Sequence, residues 1–289
     1  MNLAGLETRT TVEFDNSLKS DQLKLNGELI VGDAAERVTQ FLNQVRKIMG
    51  KNTFAAVESN NNFPTGAGIA SSASAFAALA IAASKAADLD LDLEDLSRLA
   101  RTGSGSASRS VPGGFVEWFP GKDHKTSFSA SIAPPEHWNL VDCIAIVNAE
   151  HKRTGSSQGH LSAATSILQK DRVANAPQRL EICRRAVLAK DFSSFAQVVE
   201  LDCNLMHAVM MTSEPPLMYW QPATLAVMQA VKIWRSEGIE ACYTIDAGPN
   251  VHVLCTEHYR QTVQQRLDKL SGINQVLIAG TGGGARLID

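Results

Sequence analysis

No two of the five cysteines (Cys143, Cys183, Cys203, Cys242, Cys255) stand at CxxC spacing, and their number is odd. Neither a disulfide framework nor a zinc site is suggested, and buried free thiols in a reducing compartment are expected. No apolar run reaches the roughly 18 residues that crossing a bilayer requires. Met1 to Thr10 lacks the basic-then-apolar order of a secretory leader, so a cytoplasmic protein with no membrane partner is expected. An excess of charge is missing as well: 27 Lys and Arg against 30 Asp and Glu leave a net charge of −3. Such a chain offers no global field to nucleic acid or to an anionic membrane, and a phosphate-bearing ligand must be held by local arrangement. No cluster of His, Asp and Glu has metal-ligand spacing, and no Ser/His/Asp set separates by position. Internal repeats and low-complexity linkers are also lacking.

What the chain does have is concentrated in a few polar runs. Residues 60 to 76 combine Pro64, Gly66 and Gly68 with Ser71 and Ser72, just before a small-residue helix over Ala73 to Ala87. A glycine loop feeding a helix N-terminus is an anion site, because free N–H groups and the helix dipole point the same way. Glycine lets a phosphate approach the backbone with no Cβ between. The loop is neither a Walker A sequence nor a dinucleotide GxGxxG. An N-cap serine on a tightly packed alanine helix accounts for the same residue types without a ligand.

The 289 residues, 44% hydrophobic and 20% charged, fit two modest globular domains. Alternation over 10–14 predicts a strand, and Asn26-Gly27 between apolar residues predicts a hairpin over 23–30. Helical spacing predicts helices over 34–49 and 91–102, with a strand over 54–59 between them. After Pro134-Pro135, a buried strand over 141–147 opens a second unit. Helices at 178–189, 192–206 and 222–236 follow, then strands at 243–246 and 251–255, a helix at 258–270 and a last strand at 275–278. That β-α-β-β-α-β-like order predicts an α+β domain with helices on one face of a mostly antiparallel sheet.

Three more runs carry candidate chemistry. Gly103 to Ser110 reads as a donor-rich loop with one fixed cation, Arg109, whose planar fork suits a carboxylate or phosphate. A flexible loop with a surface arginine is its bland counterpart. Asp246 ends an apolar strand before a Gly-Pro turn, where it is either a turn residue or a group that orients a hydroxyl. Lys152 to His160 reads as a polar loop offering a second phosphate contact, or merely a solvated one. Gly280 to Arg286 reads as a turn between strands. Tyr219-Trp220-Gln221-Pro222 and the methionines at 206, 210, 211 and 218 read as helix-packing material.

The order Pro64, Gly68, Ser71, Ser72 resembles the ATP loop of the small-molecule kinase superfamily that includes galactokinase, homoserine kinase and mevalonate kinase. Four stretches together resemble one branch of it, the mevalonate diphosphate decarboxylases: Asn61 to Ser72, Gly103 to Arg109 with Gly113 to Trp118, Thr154-Gly155-Ser156 with Gly159, and Asp246-Ala247-Gly248-Pro249-Asn250. They stand in the family's order and span nearly the whole chain. The resemblance implies the two-domain GHMP-kinase fold of class α+β. A ribosomal protein S5 domain 2-like ATP-binding domain is expected over 1–138 and a ferredoxin-like substrate-binding domain over 139–289. It also implies an ATP- and Mg2+-dependent carboxy-lyase of the mevalonate pathway that works as a homodimer and acts on a phosphorylated mevalonate.

Under that resemblance Asp246 orients the tertiary hydroxyl, and Arg109 holds the substrate carboxylate. Ser104, Ser106 and Ser156 place the carboxylate and phosphates, with Ser106 counted among the catalytic groups. Pro64, Gly66, Gly68, Ser71 and Ser72 hold the ATP phosphates. Two departures stand out. The family's opening strand, with its Lys-Tyr-Trp-Gly-Lys-like segment, has no counterpart before Met1, so a start assigned at an internal methionine or a true truncation is expected. His160 replaces the usual methionine, and Tyr219 to Pro222 resembles a phosphomevalonate decarboxylase branch, so mono- and diphosphate substrates both stay open. A kinase without decarboxylation and an inactive nucleotide-binding protein are the competing readings.

Overall fold

A computed structural model describes residues 1–64, 68–148 and 156–288, with the backbone alone for 156–158. The chain forms two compact units. Unit 1 comprises Met1–Phe63, Ala70–His137 and Gly282–Asp289; unit 2 comprises Pro64–Ile69 and Trp138–Thr281. Two short segments thus fall on the other side of a single division at 138/139: the glycine loop goes with unit 2 and the C-terminal run with unit 1.

Unit 1 begins with β1 (Thr8–Phe14), β2 (Gln22–Leu25) and β3 (Glu28–Ile30), followed by α1 (Asp33–Met49) and β4 (Ala55–Asn61). Helices α2 (Ser71–Ala86) and α3 (Leu93–Gly103) come next, then the strand pair β5 (Phe115–Phe119) and β6 (Phe128–Ala133). The first sheet has the order β1-β4-β2-β3. β4 runs antiparallel to β1 and parallel to β2. The β2–β3 hairpin closes through Asn26 (φ 51°) and Gly27 (φ 84°), the two positive-φ positions that an Asn-Gly turn supplies. The spacing of α1 turns Phe41, Leu42 and Val45 inward. They meet Phe76, Ala77 and Ala80 of α2 and Leu99 and Ala100 of α3 in one core. The alanines of α2 let these helices approach closely without voids.

Unit 2 runs β7 (Leu140–Ile146), α4 (Ser156–Ala163), α5 (Gln169–Ala174), α6 (Ala176–Ala189), α7 (Phe192–Met211), α8 (Pro222–Ser236), β8 (Ala241–Thr244), β9 (Val251–Thr256), α9 (Arg260–Leu267) and β10 (Gln275–Gly280). The sheet order is β10-β7-β9-β8 with every pair antiparallel, the ferredoxin-like arrangement of a β-α-β-β-α-β chain. Strand residues alternate between faces. Val141, Cys143, Ala145, Tyr243, Val251, Val253 and Cys255 meet Val227, Val231 and Trp234 of α8 and Val263 and Leu267 of α9 in the main core.

Several expectations need correction. Residues 105–110 form a 3₁₀ helix rather than an open loop. The polar run after Gly155 is helical from Ser156, and α5 follows it. β8 stops at Thr244, so Asp246 lies beyond the strand. No strand follows Gly280–Arg286 among the described residues. That segment bonds to the start of the chain instead: Gly282 N donates to Asn2 O at 2.7 Å, and Gly114 N to Gly282 O at 2.9 Å. Met210 is buried as packing material, whereas Met218 is exposed. The five cysteines are free; four are buried and Cys183 is partly so. Burial pushes the Cys203 thiol up to about 12. No helix among the described residues is long and apolar enough to cross a membrane.

Candidate active site

In unit 1 the polar groups gather on two neighbouring pieces of chain. Helix α2 starts at Ser71, and its N-cap is Ala70 in left-handed conformation (φ 52°), with no side-chain cap. The serines are therefore first-turn residues rather than caps, both half-buried. Ala73 N donates to the Ala70 carbonyl at 2.9 Å, and Ser71 and Ser72 stand at the helix end where the dipole favours an anion. The second piece follows α3. Ser104 is the C-cap in extended conformation, and the 3₁₀ helix Gly105–Ser110 begins at once. Its residues divide by direction. Ala107 and Ser108 are buried, while Ser104 and Ser106 are half-buried with their hydroxyl oxygens 3.4 Å apart. Arg109 is exposed, with its guanidinium carbon 5.9 Å from the ring centroid of Trp118. Stacking on an indole restricts the plane in which a guanidinium lies.

Hydroxyl groups fasten this turn from below. Ser108 Oγ donates to Gly105 O at 2.8 Å and accepts from Ser129 Oγ at 2.9 Å. Ser97 Oγ donates to Ser108 O at 3.0 Å and accepts from Ser129 N at 2.8 Å. Ser97, Ser108 and Ser129 are all buried. Gly103, just before the turn, has no room for a Cβ, which would fall 2.0 Å from the Phe76 ring.

In unit 2, Gly68 adopts φ +84°, and a Cβ there would lie 3.1 Å from Gly248 Cα. The loop glycine thus packs on the turn that carries Asp246. Asp246 is exposed, and its carbonyl accepts from Gly248 N at 2.8 Å. The backbone on either side is held by buried polar groups. Ile245 O lies 3.0 Å from His207 Nε2 and accepts from Cys203 Sγ at 3.8 Å. Burial keeps His207 below its ordinary value, against the opposing pull of the Ile245 carbonyl and Asp246. Thr224 Oγ1 donates to Pro249 O at 2.6 Å. Asn250 Oδ1 accepts from Val147 N (2.8 Å) and Asn148 N (3.0 Å), and its Nδ2 donates to Asn148 O (2.9 Å). The end of the Asp246 motif therefore also fixes the end of β7, from which the Lys152 run departs.

Pro64 is half-buried in unit 2. Gly66, Lys152, Arg153, Thr154 and the Ser156 side chain lie outside the described residues. The backbone of Ser156 opens α4; Gly159 is buried against Tyr219, and His160 is exposed. Two groups of polar residues escaped the sequence reading. The serine network under the Arg109 turn looks like ordinary loop composition. The other group, Asp142 in β7 and His252 in β9, left a signal: a polar residue in the interior of each of two strands whose other interior residues are apolar.

Comparison with known proteins gives these features a context. Residues 1–129 match the diphosphomevalonate decarboxylase-like N-terminal domain, and residues 143–279 match the mevalonate 5-diphosphate decarboxylase C-terminal domain. The diphosphomevalonate decarboxylase of Candida albicans is 39% identical over 283 residues, covering 92% of this chain and 78% of that protein. The chain belongs to the diphosphomevalonate decarboxylase family. The crystal structure of the decarboxylase from Staphylococcus aureus superposes with a TM-score of 0.92 at 35% identity, over 100% of this chain and 88% of that one. A structure of MDDEF in complex with MVAPP, AMPPCP and magnesium gives 0.91 at 37%, over 98% and 88%. The diphosphomevalonate decarboxylase fold thus extends over both units, and the expected α+β, GHMP-kinase architecture is the one observed.

Proposed function

We propose that the chain catalyses the ATP-dependent decarboxylation of mevalonate 5-diphosphate, giving isopentenyl diphosphate, ADP, phosphate and CO2 in the mevalonate pathway. What carries this reading is the occurrence, in one chain of this family, of an exposed carboxylate on a braced turn (Asp246) and a ring-stacked, exposed guanidinium (Arg109). A kinase of the superfamily needs the phosphate loop but has no use for a group that grips a departing carboxylate.

The residue types suit the chemistry. A tertiary alcohol is a poor nucleophile, and Asp246 orients the 3-hydroxyl for attack on the γ-phosphoryl group by accepting its hydrogen bond. The new phosphate leaves from C3 as the C–C bond to the carboxylate breaks, and its electrons form the double bond. Arg109 holds the carboxylate with two parallel N–H bonds while positive charge develops at C3. Ser104, Ser106 and Ser156 place the carboxylate and diphosphate. Pro64, Gly66, Gly68, Ser71 and Ser72 hold the ATP phosphates. Positioning and fixed dipoles supply most of the rate in such a phosphoryl transfer.

Among the described residues no three His, Cys, Asp or Glu side chains gather to hold a metal ion. Mg2+ keeps several waters and binds largely through phosphates, so this donor set fits an ion that arrives with the nucleotide. Such an ion neutralises charge on the transferring phosphates. The cytoplasm suits five free thiols, and a homodimer is what the family resemblance implies; light scattering tests the latter. Incubation with ATP, Mg2+ and mevalonate 5-diphosphate tests the activity itself. Equal release of ADP and CO2 is expected, and ADP without CO2 would reduce the protein to a kinase. The 5-monophosphate in parallel fixes the substrate.

A further inference from the structure

β7 and β9 are buried almost throughout, and strands of that kind select apolar side chains. Asp142 (3% exposed) and His252 (9% exposed) depart from the rule together. His252 Nδ1 lies 2.7 Å from Asp142 Oδ2. The register pairs Ile144 with His252 and Asp142 with Leu254, so the two are diagonal neighbours on the sheet face away from the α8–α9 core. Asp142 Oδ1 and His252 Nε2 are buried without a regular hydrogen-bond partner. For stability alone this is a poor arrangement, since apolar side chains of similar volume do as well or better.

Its location suggests another purpose. His252 pairs across the sheet with Thr244, two residues before Asp246. The Gly68 backbone and the Asp246 charge both act on the imidazole, and Gly68 itself packs on Gly248. We infer that His252, paired with Asp142 across the sheet, is a positioning residue that fixes the phosphate-loop glycine Gly68 and the Asp246 turn in their working places. This rests on the reading of Asp246 as the group that orients the attacking hydroxyl.

Asp142 of β7 contacts the ring directly, and the Asp246 charge and the Gly68 backbone act on it as well. Burial by itself drives the imidazole towards its neutral form. The two carboxylates and Gly68 outweigh it and push the ring up to about 9. Because this lies above the ordinary 6.5, the pair's contribution to stability is complete below the ordinary value and is lost as pH rises through about 9.

Two measurements on the full chain test the inference. An NMR titration of histidine-labelled protein, with His252→Gln for assignment, should show the ring still protonated at neutral pH. Its midpoint should fall in Asp246→Asn, because electrostatic coupling between two sites is reciprocal. A ring already neutral at pH 7, or a midpoint unmoved by Asp246→Asn, overturns the inference. In kinetics, His252→Gln should lower kcat about tenfold with KM for the phosphorylated mevalonate little changed, and His252→Lys, which keeps a cation, should recover most of the loss. A His252→Gln variant with kcat within about twofold of wild type also overturns it. Should that variant fail to fold, the Asp246→Asn titration decides. If Asp246→Asn turns over normally while the shift in the His252 midpoint is present, the pairing is upheld and the catalytic reading of Asp246 falls instead.

Discussion

The Arg109 turn of unit 1 and the Asp246 turn of unit 2 both present one exposed charged side chain, yet they are built from different materials. The first is a 3₁₀ helix fastened by three small hydroxyls, Ser97, Ser108 and Ser129, and by a glycine pressed on Phe76. The second is irregular backbone whose Ile245 and Pro249 carbonyls meet His207 and Thr224, and whose own Asn250 ties it to the backbone of Val147 and Asn148. A short helix satisfies much of its own backbone and needs only small wedges beneath it. An irregular turn leaves its groups open, and buried ones must find side-chain partners or cost free energy. The same task of presenting a charge therefore selects serine in one place and histidine and asparagine in the other.

Breaking the charges themselves should have the largest effects. Asp246→Asn is expected to lower turnover by on the order of a thousandfold while ATP affinity, read by calorimetry, stays near wild type. Near-normal turnover would remove Asp246 from the mechanism. Arg109→Lys keeps the charge but loses the planar fork, and kcat should drop on the order of a hundredfold; full activity would show that the fork is not used. The supports should matter less. Gly103→Ala forces a Cβ into Phe76 and should cost about 1–3 kcal/mol in urea unfolding. Ser108→Ala leaves buried Ser129 without its hydroxyl partner and should cost about 1–2 kcal/mol. If Ser108→Ala were silent in stability while His207→Phe was not, the hydroxyl network would be the weaker brace of the two.

Local signals read well where one physical cause dominated. Asn26-Gly27 specified its hairpin because few dipeptides tolerate two positive φ values, and the spacing of Phe41, Leu42 and Val45 specified α1. The order of strands and helices after Leu140 was enough for a mostly antiparallel sheet, and the family resemblance supplied its ferredoxin-like form. Elsewhere composition misled. Gly-Ser-Gly-Ser reads as open loop, and nothing local announces that Ala107 and Ser108 turn inward while Ser106 and Arg109 turn out. Helices α4 and α5 are short and polar, with no apolar stripe to declare them. Asp246 sits beyond its strand because its carbonyl turns to Gly248, a preference that apolar alternation does not encode. Of the candidate site, the residue types were legible, but not the braces that hold them.

Three hydrogen bonds have a bearing on synthesis. Ala285 N donates to Ser110 O at 3.1 Å, and Gly282 bonds to both Asn2 and Gly114. Domains usually fold in the order in which the ribosome delivers them. Most of unit 1 is translated first, yet the Ser110 carbonyl that ends its Arg109 turn gains its Ala285 partner only after all of unit 2 has been made. The nascent chain must therefore carry a nearly finished first unit, open at this seam, through the making of the second.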